Sequence, residues 1–272
     1  MLENLARKVL VCVVEAVENG VNNKYIMELI LFIVGIFRKA SSLTSMGLDV
    51  WNGIPYSNHS DGAFRRSRIK IFQGMRVAFI CDGNRRYMKK IGQKDKFTRD
   101  PGLQKIYEFI NFGYFYGLKE VSFFCFALSN LRRTPEEVNG IMNIIRKKIK
   151  NPKKTSIKPK FLVYGRLDLL DSDVRNKLIE VEKETENNTD IVVNIFFAYS
   201  SEDEINRGIK FDSKVDILIR TGDAKRLSNF MVRQVATGTS VFFAKVLWPE
   251  LTIVHLFLIL LKHQLENKYL LN

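Results

Sequence analysis

Cysteine, proline and acidic side chains are scarce in this sequence. Its 272 residues include 3 cysteines and 6 prolines, and 29 acidic residues stand against 43 lysines and arginines. Cys12, Cys81 and Cys125 show neither a pairing pattern nor the spacing of metal ligands, which excludes a disulfide scaffold and a zinc finger. We therefore expect buried thiols in a reducing compartment.

The apolar part of the N-terminal region is short. Residues 24–39 have an uncharged core of nine residues, Leu29 to Phe37, whereas a membrane-spanning helix needs ~20. The pattern of a secretory signal peptide is absent as well. We expect residues 1–64 to form a helical segment and a linker, with residues 24–39 lying at a membrane surface. Packing of that helix on the rest of the protein is the alternative.

Common phosphate-binding and nucleophile motifs are absent too. The chain has no Gly-x-x-x-x-Gly-Lys-Ser/Thr loop, no Gly-x-Gly-x-x-Gly and no Gly-x-Ser-x-Gly elbow. His59, His255 and His263 have no evident partners, so we assign them no chemistry. These absences argue against P-loop, dinucleotide-binding and α/β-hydrolase sites.

Positive charge is abundant and clustered. The net charge is +14, and residues 64–99 hold twelve lysines and arginines against two acidic residues. Such clustering indicates a phosphorylated ligand, a polyanion or an anionic membrane surface. Because no recognised nucleic-acid module is present, we do not expect nucleic acid as a partner.

Apolar strands alternate with helical segments along the rest of the chain. Six strands are expected, at 76–81, 121–127, 161–164, 191–197, 215–219 and 241–247. This alternation predicts an α/β fold with a mainly parallel central sheet flanked by helices. The 20 phenylalanines suit a large apolar cavity, although a phenylalanine-rich core explains them equally well.

Polar clusters follow three of these strands, at 82–86, 130–133 and 220–228. Because parallel strands bring their carboxyl ends to one edge of a sheet, we expect the three clusters to share a cleft. Arginines beside backbone N–H groups bind anions. Asp82 is the one carboxylate in its cluster, and a divalent metal held between it and phosphate oxygens explains its presence. Arg220, Arg226 and Ser228 form a second anion site, so two phosphorylated substrates are expected.

The same residues resemble the cis-prenyltransferases, the undecaprenyl diphosphate synthase family, and among them the eukaryotic dehydrodolichyl diphosphate synthases. The match runs in order from about Arg76 to Glu250 in four blocks: Asp82-Gly83-Asn84-Arg85-Arg86-Tyr87, Asn130 with Arg133 and Glu137-Val138, Asp216 to Gly222 with Arg226 to Phe230, and Val246-Leu247-Trp248-Pro249-Glu250. The Asp-Asp-x-x-Asp motif of trans-prenyltransferases is absent, in agreement.

The resemblance implies a fold with a hydrophobic tunnel and a catalytic domain over residues 65–272. It implies condensation of isopentenyl diphosphate onto farnesyl diphosphate, giving long-chain dehydrodolichyl diphosphate for dolichol and glycoprotein synthesis. Asp82 would hold Mg²⁺, and Asn130 would lie where the new bond forms and orient substrate. The residues implied in substrate binding are Gly83, Asn84, Arg85, Arg86, Tyr87, Arg99, Arg133, Arg220, Arg226, Leu227 and Ser228.

The sequence departs from the family pattern at several positions. Arg99 stands where a histidine is usual, and further departures include Ala127, Leu131, Arg166 and Ala224. The Arg-x-Gly tail that completes the isopentenyl site is missing. Eukaryotic catalytic subunits obtain this tail from a Nogo-B-receptor-like subunit, so the resemblance implies a heteromer at the cytoplasmic face of the endoplasmic reticulum membrane. A non-catalytic subunit of such a complex is the alternative function.

Overall fold

A computed structural model of the protein describes residues 70–92, 101–148 and 157–269. The predicted membrane-associated segment, the domain boundary near residue 65 and Arg99 all lie outside these residues. Within the described part of the chain, no helix is both long enough and apolar enough to span a bilayer.

Six strands form one sheet in the order β3-β4-β2-β1-β5-β6, and every neighbouring pair is parallel. The strands are β1 (Arg76–Ile80), β2 (Glu120–Ala127), β3 (Pro159–Tyr164), β4 (Ile191–Tyr199), β5 (Ile217–Arg220) and β6 (Ser240–Phe243). The predicted parallel α/β sheet is therefore confirmed. The sheet places β1 and β2 at its centre, beside β5 and β4, with their carboxyl ends at one edge.

Helices connect these strands. The described α-helices are α1 (Asn84–Lys90), α2 (Pro101–Tyr116), α3 (Pro135–Lys148), α4 (Ser172–Glu184), α5 (Ser201–Asn206), α6 (Val232–Ala236) and α7 (Ile253–Tyr269). Short 3₁₀ turns cover Leu128–Arg132, Leu167–Leu169 and Trp248–Glu250. Helix α3 begins with Pro135 in its first turn, and the N–H of Glu137 donates to Thr134 Oγ1 at 3.4 Å.

Two predicted strand ends are wrong in a way that matters for the site. Strand β5 extends through Arg220, which was expected in the following loop, and Arg220 is in register with Ile80 of β1. Strand β6 stops at Phe243 rather than at residue 247. The chain leaves the sheet there because Val246 O accepts a hydrogen bond from the N–H of Gly222 at 2.8 Å, so residues 244–250 cross the strand ends.

Side chains alternate along β1 between two apolar layers. Phe79 faces a layer that contains Phe109 of α2, Phe123 of β2 and Trp248, with the Phe79 and Phe123 rings stacked at 5.3 Å. Ile80 faces the opposite layer. Full burial of each large side chain contributes ~1.5–3 kcal/mol, so both layers anchor the central strand that carries the site.

The sheet is not completely covered where α2 and α3 flank it, and we call this region the apolar space. Cys125 of β2 and Ile195 of β4 are partly exposed although both strands lie inside the sheet. Both residues contact the layer beneath α2 and also the layer beneath α3. Most of the described phenylalanines are instead fully buried, so they build the core and do not line this space.

Candidate active site

The centre of the site is an ion pair between the ends of β1 and β5. Arg220 Nη2 lies 2.7 Å from Asp82 Oδ2. The Arg220 side chain is 3% exposed and that of Asp82 is 33% exposed. Arg220 Nη1 donates to the carbonyl of Arg226 and to Ser228 Oγ, each at 2.6 Å, whereas its buried Nε has no partner. The guanidinium is therefore fixed at the base of the cleft.

The backbone around Asp82 is locked by the segment that crosses the strand ends. The Asp82 carbonyl accepts hydrogen bonds from the N–H of Trp248 at 2.9 Å and from Thr221 Oγ1 at 2.8 Å. Gly83 follows with φ 107°, and a Cβ there would lie 2.9 Å from the Leu247 side chain. The sequence needs glycine at this position because the backbone is left-handed and Leu247 leaves no room for a side chain.

Arg86 of α1 ties the two loops together. Its Nη2 donates to the Gly222 carbonyl at 2.8 Å and lies 3.5 Å from Asp82 Oδ1. Gly222 has φ 85°, and a Cβ there would stand 2.4 Å from that same nitrogen. Glycine at this position therefore leaves the space that Arg86 occupies.

The third cluster joins the site through Glu137 of α3. Arg85 Nη1 lies 3.2 Å from Glu137 Oε1, and Arg133 Nε lies 4.0 Å from Oε2. Burial and the nearby charge of Arg85 lower the pKa of Arg133. Asn130 lies in the 3₁₀ turn between β2 and Arg133. All three predicted clusters therefore meet at the carboxyl edge of the sheet.

The remaining predicted residues lie around this centre. Asn84 donates from Nδ2 to the Cys81 carbonyl at 3.0 Å, and its buried Oδ1 has no partner. Tyr87 lies partly exposed on α1, and Leu227 packs against the apolar layer beneath Ile80. Arg226 contributes its carbonyl to Arg220, whereas its side chain is exposed.

Sequence reasoning missed three contributors. It treated Glu137 only as part of a family block, although Glu137 forms ion pairs with both Arg85 and Arg133. It gave no role to Thr221 or to the N–H of Trp248, both of which fix Asp82. The resemblance of Trp248-Pro249-Glu250 to a family block was a sequence signal that could have identified Trp248.

Cys81 lies directly before Asp82 and is also partly exposed. Desolvation of its thiol raises its pKa well above the usual value, and a hydrogen bond with Cys125 and the charge of Asp82 add to this effect. Cys81 and Cys125 are both free thiols.

The described residues do not by themselves form a metal site. Among the described residues, no group of three or more histidine, cysteine, aspartate or glutamate side chains is placed to hold one. A magnesium site needs only one or two carboxylates when substrate phosphates supply the other ligands. Asp82 is partly exposed beside Arg86 and Arg220, two arginines that attract phosphate oxygens, so the site fits a magnesium ion that arrives with a diphosphate.

The family model for undecaprenyl diphosphate synthases matches residues 80–211 and 210–270. The chain belongs to this cis-prenyltransferase family. It is 63% identical to a dehydrodolichyl diphosphate synthase of Encephalitozoon cuniculi over the whole length of both chains. It is 30% identical to the dehydrodolichyl diphosphate synthase complex subunit of Homo sapiens, over 71% of this chain and 68% of that one.

Solved structures share the fold of this cis-prenyltransferase. The lavandulyl diphosphate synthase of Lavandula x intermedia, solved with dimethylallyl diphosphate, superposes with a TM-score of 0.59 at 19% identity. That match covers 70% of this chain and 94% of the other. A probable undecaprenyl diphosphate synthase of Campylobacter jejuni gives a TM-score of 0.54 at 22% identity, over 71% and 95% of the two chains. The family match and the 63% identical relative show that the protein is an enzyme of the prenyltransferase class.

One departure from the family pattern has a structural role away from the cleft. Arg166, which follows β3, lies 2.6 Å from Asp168 and 3.2 Å from Asp203 of α5. It thus ties the end of β3 to α5. Ala224 makes no described contact that replaces the usual acidic residue, and its neighbour Asp223 is exposed with φ 59°.

Proposed function

We propose that this cis-prenyltransferase condenses isopentenyl diphosphate onto farnesyl diphosphate and makes long-chain dehydrodolichyl diphosphate for dolichol synthesis. The observation that carries the proposal is the contact between Asp82 and Arg220. It joins a carboxylate suited to a metal–diphosphate complex to a buried arginine suited to a second diphosphate. The apolar space beside it accepts a hydrocarbon chain.

The allylic diphosphate would bind to Arg85, Arg86 and Arg133. Guanidinium groups match phosphate oxygens in geometry and charge. Glu137 forms ion pairs with Arg85 and Arg133, so the diphosphate would compete with a carboxylate for these two cations. Its chain would enter the space between α2 and α3, where burial contributes ~0.8 kcal/mol per CH₂.

Isopentenyl diphosphate would bind to Arg220, Arg226 and Ser228. Arg220 is held rigidly by three partners, and such preorganised charge stabilises a transition state without further reorganisation. Asn130 would orient the substrate. An amide is barely basic, so we assign the departing proton to diphosphate oxygen and not to Asn130.

Asp82 is the residue that would hold Mg²⁺. When bound, Mg²⁺ neutralises the charge that develops on the departing diphosphate. Arg86, which contacts both Asp82 and the Gly222 carbonyl, would keep that carboxylate next to the allylic site.

The setting of the enzyme is also a proposal. We place it at the cytoplasmic face of the endoplasmic reticulum membrane, in a heteromer with a Nogo-B-receptor-like subunit that supplies the Arg-x-Gly tail. The name of the human relative, a complex subunit, supports a partner. The uncharged core at residues 29–37 supports peripheral membrane contact.

Incorporation of labelled isopentenyl diphosphate tests the function. The full chain, assayed with farnesyl diphosphate, Mg²⁺ and the partner subunit, should give labelled long-chain product that is sized by chromatography. Absence of product under these conditions, or product formation that survives inactivation of this chain alone, would assign it the non-catalytic role instead.

A further inference from the structure

Two thiols lie side by side beneath the active site. Ile80 of β1 is in register with Phe124 of β2, and Cys81 and Cys125 are the next residues along the two chains. Burial raises the pKa of the Cys81 thiol most, and the nearby Cys125 thiol raises it further. Neither thiol has a role in the chemistry described above.

Both thiols border the apolar layer beneath α2. The side chains of Cys81 and Cys125 contact the apolar layer beneath α2, and both residues are partly exposed. Leu103 of α2 is partly buried against the same layer, and Ile195 of β4 contacts it as well. A ligand that reaches the two thiols therefore also meets an apolar wall next to Asp82.

We propose that Cys81 and Cys125 form a two-thiol site for trivalent organic arsenicals, with the organic group lying in the apolar space. Soft thiol ligands favour soft metals and metalloids over the hard ion expected at Asp82. A zinc site requires three or four protein ligands, and no such group of His, Cys, Asp or Glu is assembled in the described residues. An arsenic atom that carries one organic group needs only two sulfur ligands.

The reaction balances without an oxidant. Phenylarsine oxide and the two thiols form two As–S bonds, both S–H bonds break, and the arsenical oxygen leaves with the two hydrogens as water. Arsenic stays trivalent and the sulfurs are not oxidised. The product bridges β1 and β2 and places a phenyl ring where, on the proposed function, the allylic chain would lie.

Intact-protein mass spectrometry with phenylarsine oxide tests the site on the full chain. We expect the unaltered protein to gain one phenylarsenic unit and lose two hydrogens. Cys81→Ala and Cys125→Ala should each lose this adduct, whereas the matched control Cys12→Ala should keep it. Circular dichroism checks folding, and Cys81→Ser and Cys125→Ser serve where an alanine variant does not fold. Retention of the adduct in both single variants, or its loss in Cys12→Ala, would overturn the proposal.

A second measurement tests the consequence for substrate. Preincubation with farnesyl diphosphate should slow adduct formation, and the adduct should block incorporation of labelled isopentenyl diphosphate. An adduct that forms while incorporation stays unchanged would refute the position of the phenyl ring. A protein that forms the adduct but never incorporates label would overturn the proposed function and leave the two-thiol site standing.

Discussion

Asp82 and Arg220 were assigned by sequence to different substrates, yet their side chains are in direct contact. Each charged group therefore has two roles. On the proposed function it binds substrate or its metal ion, and it also stabilises the opposite charge of the other side chain. The Asp82 carboxylate neutralises the buried positive charge of Arg220 until a diphosphate binds.

Removing the Asp82 carboxylate tests both roles. Asp82→Ala should lower turnover by ~100-fold or more, because charge stabilisation of this kind typically contributes that much. It should also lower the free energy of unfolding by ~1–3 kcal/mol, since buried Arg220 loses a charged partner. Steady-state kinetics and urea titration measure the two effects. Asp223→Ala is the matched control, because Asp223 is exposed at the same edge, and its turnover should stay near normal.

A methyl group at Gly222 tests the position of Arg86. Both Gly222→Ala and its control Gly208→Ala place alanine at positive φ, which costs ~1–2 kcal/mol, but a Cβ at Gly208 meets nothing within 4 Å. At Gly222 the flexible end of Arg86 must move away. Thermal unfolding should therefore shift similarly in the two variants, whereas the KM for the allylic diphosphate should rise only in Gly222→Ala. An equal KM in the two variants would show that binding of the allylic diphosphate does not depend on the position of Arg86 beside Gly222.

The sequence identified the residue types of the site but not their contacts. The Asp-Gly-Asn-Arg and Arg-Leu-Ser blocks are local, so they can be read along the chain. The bond from Arg86 to Gly222 and the one from Arg85 to Glu137 join residues that are 136 and 52 positions apart. Such pairings depend on strand order and helix packing, which local patterns do not encode.

At the scale of elements, α7 contains two buried histidines with no part in the proposed chemistry. Burial lowers the pKa of His255, and the charge of Lys105 lowers it further. Burial also lowers the pKa of His263, although Asp216 and Glu266 oppose this. His255 Nδ1 accepts the N–H of Thr252 at 3.1 Å, as only a neutral ring can.

These lowered pKa values predict that the packing of α7 becomes less stable at acidic pH. The unfolded histidines bind protons near their usual pKa of about 6.5, whereas the folded ones resist protonation to lower pH. Stability is therefore full above about pH 6.5 and falls as pH decreases below it. Urea titrations between neutral and mildly acidic pH should show this loss, and His255→Asn should show a smaller one. An unchanged pH dependence in His255→Asn would remove His255 as the cause.

The elements were predicted better than their ends. Apolar runs in the sequence located all six strands, because strands of a buried parallel sheet are continuously apolar. The prediction failed at residues 244–247, which are apolar enough for a strand. There the hydrogen bond from Gly222 to Val246 outweighs local preference, and the segment becomes a support for the site.

At the scale of the whole molecule, the proposed partner gives the clearest prediction. If the isopentenyl site lacks its last cation in this chain, the purified chain alone should show a high KM for isopentenyl diphosphate, and the Nogo-B-receptor-like subunit should lower it. A partner truncated by its Arg-x-Gly tail is the control and should bind without restoring activity. Full activity of the chain alone would contradict the shared site.

The placement of β1 between β2 and β5 also has a consequence for how the protein is made. Val77 pairs with Ile217, and the Asp82 carbonyl bonds to Trp248, so the site depends on contacts across most of the described chain. As the chain leaves the ribosome, one edge of β1 stays unpaired until β5 has been synthesised. An unpaired strand edge is a site for non-native pairing with another strand or another chain. Residues 82–86 are thus translated early, but they reach their final conformation only after β5 and Trp248 have been synthesised.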